Sequence, residues 1–264
     1  MLSMNPVHRI LVIDIGNTNT NCAVFEGKTR VSSFIIESLR GITVCELCSQ
    51  LRQNLDSSPS LDYAVIASVV PDLLSVWKQA MEQELGIKLY IIDGHSPLGM
   101  KYPYPDPSYI GPDLVVNAFA VWKLYQRNCL VIDLGTATTI QLVNQDGYYE
   151  AATIIPGLKT AADNLIGKAA MLHEIELRFP QHVMGQNTTD ALLSGIVLGH
   201  CLMLEAFISR IKAEYPQKAP LYVVLTGGLA ALIAPGMHSV ELVNQDLTLE
   251  GLRMAGVELR GKGL

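Results

Sequence analysis

Two stretches of the chain carry the same order of apolar and polar positions. Residues 10–36 read ILVIDIGNTNTNCAVFEGKTRVSSFII, and residues 130–155 read LVIDLGTATTIQLVNQDGYYEAATII. Each begins with an unbroken apolar run that ends in Asp. A short turn of Gly, Thr and Asn or Ala follows, then two more strand-like runs joined at Gly27 or at Asp146 and Gly147. Unbroken apolar runs of this length read as strands buried on both faces, and glycine-bearing joints between such runs read as hairpins. Asp14 aligns with Asp133, Gly16 with Gly135 and Thr20 with Thr139 at one constant offset. Such self-similarity predicts a duplicated domain.

Beyond each repeat the pattern changes to helix, strand, helix, as a mixed sheet covered by helices requires. The first half predicts helices over 44–55 and 72–85 and strands over 64–68 and 89–92. The second predicts helices over 158–170 and 188–215, a strand over 221–225, a helix starting at 228–233, a strand over 240–242 and a closing helix over 247–257. Between the halves, residues 101–128 form a Pro-rich loop (Pro103, Pro105, Pro107) feeding a helix with Pro112 and Asp113 in its first turn. The division falls near Asn128, giving domains 1–127 and 128–264. Residues 191–215 are apolar on nearly every face. His200, Glu205 and Arg210 interrupt them short of the ~20 apolar residues of a membrane span. Gly195 and Gly199, four apart, would admit a second helix closely, which predicts a homodimer seam.

Composition narrows the classes. With 264 residues, 49% hydrophobic and 17% charged, the chain can bury a large core. A net charge of -6 supplies no basic field for nucleic acid or anionic membrane, so any bound phosphate must be held locally. Residues 1–9 do not have the form of a secretory leader, which with the absent membrane span predicts a cytoplasmic protein. Five cysteines make no disulfide framework, and Cys45 with Cys48, the one close pair, reads as two half-buried helical thiols.

The chemistry concentrates at the two strand-end turns. Gly16 permits a tight turn after which backbone N–H groups, the Asn17 amide and the Thr18 and Thr20 hydroxyls can converge on an anion. Gly135, Thr136, Thr138 and Thr139 repeat that offer. An Asp next to phosphate needs a bridging cation, and Mg2+ held by Asp14 through water is the ordinary arrangement. A third small-residue turn, Thr226–Gly227–Gly228, closes another strand where an adenosine could lie against backbone. No GxGxxG opens a helix, and GKT at Gly27 lacks the leading glycine of a P-loop, since Cys22 stands there. Asp113, near a helix start, is a candidate base, because the positive end of the helix dipole favours an ionised carboxylate.

These residues, together with ASVVP at 67–71, YPDPSYIGPDLVVN at 104–117, PGL at 156–158, MGQNTTDALLSG and LTGG, make the sequence resemble type III pantothenate kinases. Those belong to the acetate kinase, heat-shock ATPase and actin superfamily. The resemblance implies an α/β fold of two duplicated ribonuclease H-like domains, of the actin and hexokinase ATPase type, with an inter-domain cleft. It implies that Asp14, Gly16, Asn17, Thr18, Asn19 and Thr20, with Gly135, Thr136, Gly227 and Gly228, hold Mg2+ and ATP. Asp133 would bind a monovalent cation, K+ or NH4+. Asp113 would be the catalytic base, with Tyr104, Gly111, Pro112, Leu114 and Thr188 around the pantothenate, in a site completed by a homodimer. The chain departs from the family's Gly-Ala-Asp-Arg at Gly111–Pro112–Asp113–Leu114. Loss of a charged hydrogen bond from that arginine is worth roughly 1.5–3 kcal/mol. A kinase for another small alcohol or sugar, or a nucleotide-binding paralogue with a regulatory role, therefore stays open beside pantothenate phosphorylation.

Overall fold

The computed structural model describes residues 7–55 and 60–263. Of the leader reading over 1–9, residues 1–6 lie outside the described residues.

Both repeats form five-stranded mixed sheets. In the first sheet the order is β3-β2-β1-β4-β5, with β1 Arg9–Ile15, β2 Asn19–Glu26, β3 Thr29–Glu37, β4 Tyr63–Ser68 and β5 Leu89–Ile92. In the second it is β8-β7-β6-β9-β10, with β6 Cys129–Leu134, β7 Ala137–Val143, β8 Tyr149–Pro156, β9 Tyr222–Thr226 and β10 Leu242–Val243. The orders superpose element for element, so the duplication read in the sequence is a duplication of topology. Hairpins make the first three strands of each sheet antiparallel, while β4 and β9 run parallel to β1 and β6. Parallel pairing demands a crossover, supplied by helix α1, Val44–Asn54, in the first half and by α4, Leu158–Lys168, α5, Thr188–Leu193, and α6, Gly199–Glu214, in the second.

One face of each sheet builds its own core. Leu11, Ile13 and Ile15 of β1 pack with Leu47 and Leu51 of α1 and with Leu73 and Trp77 of α2, Pro71–Gln79. Leu130, Ile132 and Leu134 of β6 pack with Leu193, Val197, Cys201 and Leu204. Those last residues lie on α5, Thr188–Leu193, on α6, Gly199–Glu214, and, for Val197, on the wider turn Ser194–Leu198 that joins them into one helical run. The run Thr188–Glu214 is long and apolar enough to cross a membrane by length and composition. Here it buries His200, Cys201, Leu204 and Ile208 against the second core.

The chain divides into two compact units: residues up to Ala120 with Thr248–Leu264, and Val121–Leu247. A boundary at 127/128 with the C-terminal helix in the second half is thus displaced at both ends. The reason lies in α8, Leu247–Gly261, which comes after the short α7, Ala230–Ile233, and whose glycines fit the first unit. A Cβ on Gly251 would meet Val116, and one on Gly256 would meet Val65, while Arg253 stacks over the Phe25 ring at 5.8 Å. Helix α3, Pro112–Tyr125, crosses the division, so its buried Ala120 and Val121 belong to different units.

Candidate active site

In the first unit the parallel strands β1 and β4 end side by side, Asp14 opposite Ala67 and Ile15 opposite Ser68. The carboxyl ends of parallel strands are where α/β proteins place ligands. Asp14 points to the sheet face away from the Leu11–Ile13–Ile15 core and accepts a 3.4 Å hydrogen bond from Asn21 Nδ2 directly across the hairpin. The turn closes where Gly16 N–H donates to Asn19 O at 3.0 Å, leaving Asn17, Thr18 and Asn19 exposed. Thr20 is different: it lies opposite Ile15, on the core face, and its hydroxyl shares a 3.0 Å hydrogen bond with Ser38 Oγ. Its side chain is buried and engaged with Ser38, unlike the exposed Asn17, Thr18 and Asn19 of the open turn.

The second turn is one residue shorter. Gly135 N–H donates to Ala137 O at 3.1 Å, and Thr138, not Thr139, stands opposite Leu134. Thr138 is therefore the counterpart of Thr20, and it too faces inward, 3.1 Å from Nε2 of buried His200. Burial holds the His200 pKa below the usual histidine value. Thr139 pairs with Asp133 on one side and Thr226 pairs with it on the other, so the three side chains share one face of three adjacent strands. The Thr139 and Thr226 hydroxyls are buried without a hydrogen-bond partner among the described residues, as are both amide atoms of Gln141, one residue pair further along β7. An unmet buried hydroxyl costs about 1–3 kcal/mol. The half-buried Asp133 carboxylate thus lies between two buried oxygens with unmet hydrogen-bonding capacity.

Two glycines and a threonine hold this turn in place. Gly227, at φ +93, sits so close to Asp133 that a Cβ would lie 2.6 Å from its Oδ1. Gly157 N–H donates to Thr136 O at 3.2 Å, and Thr160 Oγ1 donates to the same carbonyl at 2.7 Å. Gly157 precedes α4, Leu158–Lys168, and a Cβ on it would press to 2.3 Å from Thr136 O and 2.4 Å from Gly135 O. Gly228 is exposed with open space around it.

Asp113 occupies the first turn of α3 after Pro112, where a missing N–H does no harm. Its Oδ1 folds back to where a Cβ of Gly111 would lie, 2.5 Å away, which gives that glycine a steric reason. Burial pushes the Asp113 carboxyl above the usual aspartate range, opposed by the backbone N–H groups of Leu114 and of Asp113 itself. Leu114 is only 8% exposed and packs inward, so this leucine belongs to the core. Tyr104 is 65% exposed on the loop before α3 and meets the Tyr109 ring edge-on at 5.6 Å. In the second unit Thr188 is exposed at the start of α5, capped by Asn187, which Asp190 N–H reaches at 2.9 Å. Among the described residues no three His, Cys, Asp or Glu side chains gather as a metal cage.

Residues 10–210 match the family model for type III pantothenate kinase. Proteins named type III pantothenate kinase from Syntrophotalea carbinolica and Moorella thermoacetica are 36% and 37% identical to the chain over 258 and 250 residues. These cover 96% and 93% of it and 100% and 97% of the relatives. The chain belongs to the type III pantothenate kinase family. Solved structures of MreB 5 from Spiroplasma citri and of the ethanolamine utilization protein EutJ from Carboxydothermus hydrogenoformans resemble it with TM-scores of 0.57 and 0.55. They do so at 10% and 14% identity, covering 97% and 96% of the chain and 99% and 92% of theirs. At such identities the likeness is one of fold, the duplicated ribonuclease H-like architecture of actin-type ATPases.

Both acid-bearing turns are visible in the sequence, and what props them is not. Gly157 and Thr160 give no signal there because PGL carries no chemistry of its own; only the hairpin β7–β8 brings it against Thr136. The Thr139–Asp133–Thr226 row was equally hidden, since Thr226 joins it through a parallel pairing that no local spacing reveals.

Proposed function

We propose that this kinase transfers the γ-phosphate of ATP to the primary hydroxyl of pantothenate, giving 4'-phosphopantothenate, the first step of coenzyme A biosynthesis. The observation that carries the reading is the strand-end Asp followed by a glycine turn, Asp14–Gly16 and Asp133–Gly135, at the same topological position of both sheets in a chain of a pantothenate kinase family.

Each residue then has a role that its setting supports. Asp14, with the exposed turn of Asn17, Thr18 and Asn19, holds the ATP phosphates and, through water, Mg2+; Gly16 contributes its tight backbone, and Thr20 at most backbone. Mg2+ supplies charge neutralisation on the phosphates as the bond to the leaving group breaks. Asp133, Thr139 and Thr226 hold K+ or NH4+, beside the exposed turn of Gly135 and Thr136, which meets ATP. Gly227 and Gly228 let the adenosine side approach backbone. Asp113 takes the proton from the pantothenate hydroxyl, and its raised pKa makes it a stronger base than an ordinary aspartate. Tyr104, Gly111, Pro112 and Thr188 surround the acceptor, while Leu114 acts through packing.

A homodimer and a cytoplasmic location complete the proposal, without nucleic acid or membrane as partners. Supporting the dimer, Gly195 has open space where its Cβ would be, and Leu202, two turns on, is 59% exposed. The test is ADP release with ATP, Mg2+, K+ and millimolar pantothenate. Wild type turns over and Asp113→Asn loses at least about a hundredfold in kcat; absence of turnover in the folded wild-type chain removes the reading.

A further inference from the structure

Helix α1 carries a feature that the kinase reaction leaves unused. Its capping box is complete: Glu46 N–H donates to Thr43 Oγ1 at 3.3 Å, and Glu46 Oε2 accepts from Thr43 N–H at 2.9 Å. That fixes Cys45 in the first turn, where it is exposed, and Cys48 one turn later, where it is 6% exposed at the edge of the first core. Both residues line one surface hollow of about 610 Å3, with Ser49, Arg52, Gln79 and Glu84. They therefore open onto common space, as residues three apart on a helix do. The remaining cysteines are sealed. Burial raises the thiol of Cys22 far above its ordinary value, that of Cys129 to about 12 and that of Cys201 to about 11.

We propose that Cys45 and Cys48 are a reversible dithiol site that reacts with low-molecular-weight disulfides and closes as an intrahelical disulfide. The Cys45 thiolate attacks one sulfur of the small disulfide, forming a mixed disulfide and expelling one small thiolate. Cys48 then gives its proton to solvent, and its sulfur attacks the Cys45 sulfur and displaces the second small thiol. The pair loses two electrons and two protons; one small disulfide becomes two thiols. The order follows from exposure, since Cys45 alone is open to the reagent. Burial raises the Cys48 thiol, Arg52 opposing and Glu84 and Cys45 adding, which suits Cys48 to the second step. Side chains three apart on a helix have Cβ atoms about 5–6 Å apart, against about 3.5–4.5 Å in a disulfide. Closure thus draws the first turn inward by on the order of 1–2 Å, a distortion that a helix end accommodates better than its middle.

The experiment uses the whole native chain with oxidised glutathione near pH 8, acid quench, thiol counting in denaturant and intact mass. Wild type is expected to lose two of its five thiols with no glutathione retained, and to regain both with a reductant. Cys45→Ser should lose none. Cys48→Ala, with Cys48→Ser as a second variant should the first fold poorly, should stop at a single retained glutathione. A wild type that keeps glutathione on Cys45, loses no thiol, or loses thiols equally in Cys45→Ser overturns the proposal.

Discussion

Replacing Gly157 by alanine puts the second glycine turn to the test without replacing any residue proposed to meet a substrate. The added methyl would sit 2.3 Å from Thr136 O and 2.4 Å from Gly135 O, where ordinary contact begins at 3.4 Å. Both obstacles are backbone, so neither can rotate aside; the turn or the start of α4 must move by about 1 Å. Overpacking of this kind costs roughly 1–3 kcal/mol in stability. A displacement near 1 Å at groups that position a reacting phosphate costs on the order of a hundredfold in rate. The same shift would stretch the 2.7 Å bond from Thr160 Oγ1 to Thr136 O. Steady-state ADP release gives kcat and KM for ATP, and a thermal melt reports the folded fraction. Gly167→Ala is the control, because it lies on the same helix with open space at its Cβ; it should keep full activity and gain up to about 1 kcal/mol. The reasoning fails if Gly157→Ala, folded at the assay temperature, keeps wild-type kcat/KM for ATP.

Three more outcomes are expected. Since the base must be ionised and burial raises Asp113, kcat/KM for pantothenate should climb with pH through a limb above the ordinary aspartate value of about 3.9, and a limb at or below it would contradict the burial argument. Leu114→Arg should lower Tm and bring no gain in kcat/KM for pantothenate, because it forces a charge into a site 8% exposed; a gain would mean that position 114 faces the substrate. Glu205 accepts from His238 N–H at 2.6 Å and from the Ser239 N–H and hydroxyl at 2.9 and 2.6 Å; burial alone would raise its pKa, but these bonds outweigh it and hold the pKa down. A depressed carboxylate stabilises above its unfolded pKa and loses that contribution as pH falls through the folded one, so Glu205→Gln, at a group that water partly screens, should cost about 1 kcal/mol or less at neutral pH and nothing near pH 2, read by melts across that range.

Much of the architecture was legible because it is written twice. The runs ending in Asp14 and Asp133 are too apolar for anything but central strands, and their shared continuation fixes two sheets of one topology. The register was less legible: a one-residue difference between turns moves the match of Thr20 from Thr139 to Thr138, and strand alternation then reverses which hydroxyl faces the acid. The placement of α8 was hidden for another reason. Gly251 and Gly256 look like weak helix positions in sequence, and only contact with Val116 and Val65 shows them as seats for packing on the first unit. Leu114, read as part of an acceptor site from its place beside Asp113, turns inward because successive residues of a helix face different ways.

The most direct measurement follows the phosphorus. With ATP labelled at the γ-position, Mg2+ and K+, the chain should place the label on the primary hydroxyl of pantothenate, seen by mass and by 31P NMR, with one ADP formed per phosphopantothenate. Label that stays in ATP, or leaves only as inorganic phosphate while pantothenate remains unmodified, would contradict the account.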